Sequence, residues 1–354
     1  MNRRHFILAS GTTIAATALS RASAARRPLR VAQLGTEHMH APRKWTTLKR
    51  LSDDITVAGI WEPSASRRSA AQTRDDYRGV RWLTEAELFE DHTLDAVVVE
   101  TELPDLLSAA QRCLESGFHV HLDKPPGRDL ARFVALQQLA AARRRVLQVG
   151  YMYRYHPAFQ FCFNAVRNGW LGKICAIHGD IGSDIDPGRR AWLATTYGGS
   201  MLLLGCHLID LTVAVLGAPQ AVSVSRRRTY PDRDDYYDNE LAVLEYADAF
   251  ASVRSLNVEV AATKRRQWAV FGDKGTIEIL PLEPAQVKLS LRHPVDRFTA
   301  GVQTVNLPPI AGRYDEMLLD FVRMIRGEPS RVLEFTAAHE RLVHEWVLKC
   351  AGFG

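Results

Sequence analysis

From Leu29 to about residue 150, short runs of consecutive apolar residues alternate with longer stretches whose apolar positions recur every three or four residues. The runs Leu29–Leu34, Ile55–Trp61, Asp95–Val99, Phe118–Leu122 and Val146–Val149 predict strands, with a shorter one over Val80–Leu83. Between them, Arg43–Leu51, Ser64–Asp76, Thr84–Glu90, Pro104–Ser116 and Asp129–Arg144 carry the helical spacing, and Gly117 is a natural C-cap. Apolar strands too continuous to have a wet face, alternating with helices, predict a parallel sheet covered on both sides.

The pattern changes after Val149. A helix is expected from His156-Pro157 to about Asn168, a strand over Lys173–Gly182 and a leucine-rich helix over Gly199–Leu216. From Ala221 to Leu307 the period shortens to two, with strands at Leu241–Tyr246, Phe250–Val258, Gln267–Phe271, Thr276–Leu280 and Val287–Leu291. Turn chemistry such as Gly272-Asp273-Lys274-Gly275 joins neighbours, as hairpins require. The fold class is therefore α/β: a Rossmann-type doubly wound domain over residues 25–150, then an α+β domain with a largely antiparallel open sheet over 151–310. Helices Tyr314–Arg326 and Phe335–Cys350, within 311–354, return to the first domain.

The first 24 residues stand outside this scheme. Arg3-Arg4-His5-Phe6-Ile7-Leu8 opens a small-residue apolar run that ends near Ala22-Ser23-Ala24, the form of a twin-arginine signal peptide with an A-x-A-like cleavage site. The expected location is periplasmic or otherwise exported. The run is too short to span a bilayer, and the rest of the chain offers no span. The whole chain has 45 Lys and Arg against 40 Asp and Glu. Arg3, Arg4 and Arg21 account for much of the excess, and the remaining charges are scattered, which argues against a nucleic-acid partner. Cysteines 113, 162, 175, 206 and 350 show no metal-knuckle or disulfide spacing.

Candidate chemistry gathers at two places. Lys124 follows the apolar strand at Asp123-Lys124-Pro125, on the carboxy-terminal lip where open α/β sheets bind ligands. His207 and Asp210 share one face of the apolar helix, and a polar pair there must meet a partner or a cavity. The loop Gly35-Thr36-Glu37-His38-Met39-His40 stands where a G-x-G-x-x-G fingerprint would, with only its first glycine. Glu62 ends the second strand, where an acid accepts hydrogen bonds from a ribose diol and repels a 2′-phosphate. The pairs His38/His40 and His119/His121 have metal-ligand types, but a position under the cofactor loop favours core histidines, and no metal is assigned.

Three ordered motifs resemble the glucose–fructose oxidoreductase / inositol dehydrogenase / MocA family: Asp123-Lys124-Pro125, Gly150-Tyr151-Met152-Tyr153-Arg154-Tyr155-His156-Pro157, and Gly198-Gly199 followed by Gly205-x-His207-x-x-Asp210. The resemblance implies a bound NAD, with NADP the alternative because Arg67 and Arg68 lie near Glu62. It implies hydride transfer between nicotinamide and a hydroxyl carbon of a sugar, sugar acid or cyclitol, and a homodimer or homotetramer built on the open sheet. Two alternatives are an NAD-dependent glycosidase working by transient oxidation and a non-catalytic carbohydrate-binding relative. Carried over by position, Lys124, His207 and Asp210 are catalytic. Gly35, Thr36, Glu37, His38, Glu62, Thr101, Asp123, Lys124, Pro125 and Arg154 hold the cofactor, and Tyr153, Arg154 and Tyr314 join Lys124 and His207 around the substrate. Leu203 departs from the family, which carries an acid four residues before the histidine, and this is expected to weaken the proton relay.

Overall fold

The computed structural model describes residues 27–330 and 335–353. The leader assigned to residues 1–24 lies outside them.

The first sheet has five parallel strands in the order β2-β1-β3-β4-β5: β1 Leu29–Leu34, β2 Ile55–Trp61, β3 Ala96–Val99, β4 His119–Leu122 and β5 Leu147–Val149. Helices α1 Ala41–Arg50, α2 Ala65–Gln72, α3 Glu85–Phe89, α4 Leu103–Glu115 and α5 Leu130–Ala142 connect them. Local chemistry starts these helices where the chain leaves the sheet. Ser64 and Asp129 cap α2 and α5, and Thr84 with Glu87 forms a capping box on α3. The stretch Val80–Leu83 forms only a parallel bridge from Trp82 to Ile60, because its chain turns away at once into the α3 cap.

Strand register sets up the site. Leu34 lies opposite both Trp61 and Val99, Val99 opposite Leu122, and Leu122 opposite Val149. The next residue of each strand therefore falls on one lip: Gly35, Glu62, Glu100, Asp123 and Gly150. Gly35 has φ +89°, and a Cβ there would sit 2.9 Å from the backbone of Glu100 and Thr101, so only glycine lets the chain cross so closely.

After a one-turn helix at Met152–Tyr155 come α6 Pro157–Arg167, β6 Ile174–Gly182, α7 Pro187–Thr196 and α8 Cys206–Leu216. The second sheet has eight strands in the order β13-β12-β11-β10-β6-β9-β8-β7. Its other members are β7 Ala221–Arg227, β8 Asn239–Glu245, β9 Phe250–Leu256, β10 Gln267–Gly272, β11 Gly275–Ile279, β12 Val287–Leu291 and β13 Gly301–Val305. All neighbours pair antiparallel except β6 with β9. One face buries Ala242, Leu244, Val253, Trp268, Val270 and Ile277 beneath α6 and α8, and the other leaves Phe250, Leu241 and Phe271 at the surface. Helices α9 Asp315–Ile325 and α10 Ala337–Cys350 close the chain, α10 packing on both α5 and α8. No described helix is long and apolar enough to cross a membrane. All five cysteines are free.

The leucine-rich stretch is not one regular helix. Met201–Gly205 forms a wider π turn before α8 begins at Cys206.

Candidate functional site

Asp123 is fully buried on the lip and gathers four donors. The Lys124 amide donates to it at 2.6 Å, Lys44 Nζ at 2.7 Å, and His38 and His40 point Nδ1 at it from 3.0 and 3.1 Å. Lys44, itself fully buried, also donates to Glu100 at 2.7 Å. Burial alone would raise the Asp123 carboxyl, yet His38, Lys44 and His40 hold it well below its ordinary value. Glu100 goes the other way: burial, with the Asp123 charge beside it, raises it well above the usual carboxylate range against the pull of Lys44. Burial lowers both histidines, His40 to about 3, so each is a neutral ring able to donate Nδ1–H. His38, His40 and Asp123 could also present ligand atoms to a metal ion, since these lie within 4.8 Å of one another, but the Lys44 ammonium already neutralises the same carboxylate oxygen. Of the other histidine pair, His121 bonds Gln148 at 2.7 Å and His119 accepts from the Val146 amide, so the two tie β4 to β5.

Lys124 is 2% exposed and its Nζ donates to the Leu203 carbonyl at 2.9 Å. That carbonyl lies in the π turn, where the main chain opens wider than in an α-helix. Leu203 thus holds the lysine through its backbone, whatever its side chain lacks. His207 follows on α8, edge-on to Tyr153 at 5.2 Å and Tyr151 at 6.0 Å between ring centres. Its Nδ1 is buried without a hydrogen-bond partner. Burial, then the charges of Lys124, His40 and Arg313, push this imidazole well below its ordinary pKa. A neutral imidazole can take a proton from a hydroxyl.

Asp210 does not orient His207. Both its oxygens accept from Arg154 Nε, at 2.9 and 3.0 Å, and Arg154 Nη1 reaches Glu340 on α10. Arg154 is 1% exposed and fully occupied, so it faces neither cofactor nor substrate. Both residues belong to a buried ion-pair network below the site, where polar groups on an apolar helix satisfy one another. Tyr153 does line the pocket, donating its hydroxyl to Glu283 at 3.0 Å. Tyr314 stands behind His40 at 5.7 Å, its hydroxyl buried and unpartnered.

The cofactor end is more crowded. Glu62 accepts from the Thr36 amide and hydroxyl, both at 2.8 Å, from the Ser64 amide at 2.9 Å and from Arg67 Nε at 3.0 Å. Its oxygens are already committed, and Arg67 also meets Glu37 at 3.3 Å, so neither residue is the free ribose or phosphate contact expected. The His38 amide is spent on the Glu100 carbonyl. Among the described residues, the Glu37 and Met39 amides show no such partner, and Thr101 Oγ1 is buried and unpaired. Those open donors, with the tight crossing at Gly35 and with Lys124 and Pro125 on the lip, fit a dinucleotide.

A cavity of about 490 Å³ opens between α1 and the second sheet, lined by His40, Tyr153 and His207 among others. A larger one of about 760 Å³, between α5 and α10, touches none of Lys124, His207 or the lip. The sequence reading passed over Lys44, Glu100, Glu283, Arg313 and Glu340. For Lys44 a signal existed: it shares the spacing of Ala41, Trp45 and Leu48, the buried stripe of α1.

Comparisons with known proteins agree with this architecture. Residues 29–151 match the oxidoreductase family with an NAD-binding Rossmann fold, and residues 159–278 match the GFO/IDH/MocA C-terminal domain. The chain is 26% identical over 206 residues to an uncharacterized oxidoreductase, YdgJ, of Escherichia coli, covering 57% of this chain and 58% of that one. It is 24% identical over 196 residues to human trans-1,2-dihydrobenzene-1,2-diol dehydrogenase, covering 55% and 57%. The matches thus span little more than half the length of these relatives. Among solved structures, the aldose-aldose oxidoreductase of Caulobacter crescentus superposes with TM-score 0.74 at 20% identity, over 92% of this chain and 98% of the other. The UDP-N-acetylglucosamine 3-dehydrogenase GnnA of Acidithiobacillus ferrooxidans gives 0.72 at 18%, over 92% and 98%. These likenesses establish the shared fold. By both of its domains, the chain belongs to the GFO/IDH/MocA family of oxidoreductases.

Proposed function

We propose that the protein is an NAD(P)-dependent oxidoreductase acting on a hydroxyl carbon of a sugar, sugar acid or cyclitol. The observation that carries this reading is the neutral imidazole of His207 on the wall of a cavity, just past the Leu203 carbonyl that holds Lys124. A bound nicotinamide supplies the hydride acceptor or donor. The protein's part is to handle the proton. Lys124, held by the Leu203 carbonyl, directs its remaining N–H bonds at the substrate oxygen and stabilises negative charge there. His207, a neutral ring on the cavity wall, accepts the hydroxyl proton during oxidation and returns it during reduction. Asp123, braced by Lys44, His38 and His40, fixes the backbone from which Lys124 projects.

The test is direct. Denatured protein should release a nicotinamide dinucleotide, or folded protein should titrate with one; polyols should then reduce its oxidised form, and the corresponding carbonyl sugars should oxidise its reduced form. Folded protein that neither contains nor binds NAD(P) overturns the reading. Export through the twin-arginine route and assembly into a homodimer or homotetramer through the outer sheet face are part of the same proposal. Cell fractionation and light scattering test them.

A further inference from the structure

The cavity beside His207 is strongly cationic. Arg43, Arg74, Arg266 and Arg313 all line it, against the single acid Asp76. Two of these arginines are accounted for. Arg74 donates to Asp76 at 3.0 Å, and Arg313 donates to Glu283 at 2.8 Å. The other two have no acidic partner among the described residues. Arg266 spends only Nε, on the neutral Gly182 carbonyl at 2.8 Å, which leaves its outer N–H groups uncommitted. The guanidinium of Arg43, exposed at the start of α1, shows no hydrogen-bond or ion-pair partner among the described residues.

A half-buried guanidinium without a counter-charge, as at Arg266, is costly unless a ligand supplies the charge, and the planar fork of both arginines suits a carboxylate or phosphate. The two reach the cavity from opposite domains, Arg266 from the turn before β10 and Arg43 from the start of α1, and the His207 ring lines the same cavity. Their uncompensated positive charge therefore faces the space open to a ligand of His207. We infer that the substrate of this site is a hydroxylated anion, a sugar acid or sugar phosphate, whose charged group is held by Arg266 and Arg43 while a hydroxyl reaches His207. This rests on the proposed oxidoreductase reading and deepens it.

The experiment compares glucose and myo-inositol with glucuronate, gluconate and glucose 6-phosphate, each as substrate with NAD⁺ or NADP⁺ and each by calorimetric binding. The acids should bind at least about tenfold more tightly than the neutral polyols, and the carboxylate and phosphate arms identify the anion. Arg266→Ala should weaken acid binding by roughly tenfold to a hundredfold, the loss of a charge-assisted contact, and so narrow the preference for acids over neutral polyols. Arg43→Ala, at an exposed position where folding is not at stake, should weaken acids less but in the same direction. Neutral polyols turned over as well as acids would overturn the anion assignment and leave the oxidoreductase reading standing. Absence of nicotinamide binding with acid binding still lost in Arg266→Ala would do the reverse. If Arg266→Ala weakens only dinucleotide binding, the arginines serve the cofactor phosphates and the inference is overturned.

Discussion

Arg154 meets Asp210 side on, Nε within 2.9 and 3.0 Å of the two carboxylate oxygens, so one guanidinium edge is closed before any ligand arrives. Its other nitrogens reach Glu340, and its face lies 3.9 Å from the Phe335 ring centre. The three charged residues come from the turn after β5, from α8 and from α10, so the network ties the exit of the first sheet to the second domain and to the end of the chain.

Removing Arg154 would leave two buried carboxylates facing each other. Arg154→Ala should cost about 3–5 kcal/mol of stability, the usual penalty for breaking a buried pair from one side. Urea unfolding measures it. A variant of normal stability with a raised substrate KM would return Arg154 to the binding site.

Lys124 and His207 should behave differently. Lys124→Ala and His207→Ala should each lower kcat by roughly 10²–10⁴ while folded protein still titrates with the dinucleotide, since these residues act on the proton. Loss of dinucleotide binding in step with kcat would contradict that division.

The pH profile carries the sign of the His207 shift. Burial and neighbouring cations hold the imidazole below its ordinary value near ~6.5, so the base form persists as pH falls through that point. The acid limb of kcat/KM for alcohol oxidation should therefore lie below about pH 6.5. A limb at or above that value, abolished in His207→Gln, would show a ring that titrates normally.

Glu102 makes a stability prediction. Burial, then repulsion from Glu37, pushes its carboxyl up to about 7, with the Tyr197 hydroxyl donating to it at 3.2 Å. The folded protein holds a proton that the unfolded chain releases near ~4.3, so stability falls as pH rises between the two values. Glu102→Gln keeps the Tyr197 contact and should be the more stable protein at about pH 8, by on the order of 3 kcal/mol. Its advantage should vanish near pH 4, and thermal melts at both pH values decide it.

Lys44 is the cation for two buried acids. Lys44→Met should destabilise the fold by several kcal/mol, and adding Glu100→Gln should recover part of the loss by removing one acid. Equal stability of the single and double variants would mean that Glu100 is already neutral without Lys44.

Much of this was legible in the sequence, and the boundary follows from physics. The strands β1–β3 announce themselves because parallel strands buried on both faces are mostly apolar, and β4, His119-Val120-His121-Leu122, still keeps Val120 and Leu122. Asp123-Lys124-Pro125 could be placed on a strand lip for the same reason. Strands β7 and β13 were not legible: Ala221–Arg227 alternates only through Val222 and Val224, and Gly301–Val305 holds two valines in a polar edge segment. Helix α7, Pro187–Thr196, has too weak a stripe to stand out. Ion pairing was the other blind spot. Lys44 finds its partners 56 and 79 positions away, and Arg154 finds Glu340 186 positions away. Only the folded chain shows that Arg154 satisfies Asp210 and so removes both from the site.

The carbonyl that steadies Lys124 belongs to the main chain, and this makes the placing of that lysine insensitive to which side chain evolution tries at position 203. Its vulnerability is to length. A residue inserted into or deleted from Met201–Gly205 would rotate a different carbonyl into place and swing His207 by about 100° around the axis of its helix, about one residue's share of a turn. Here drift in composition is cheap and drift in spacing is fatal.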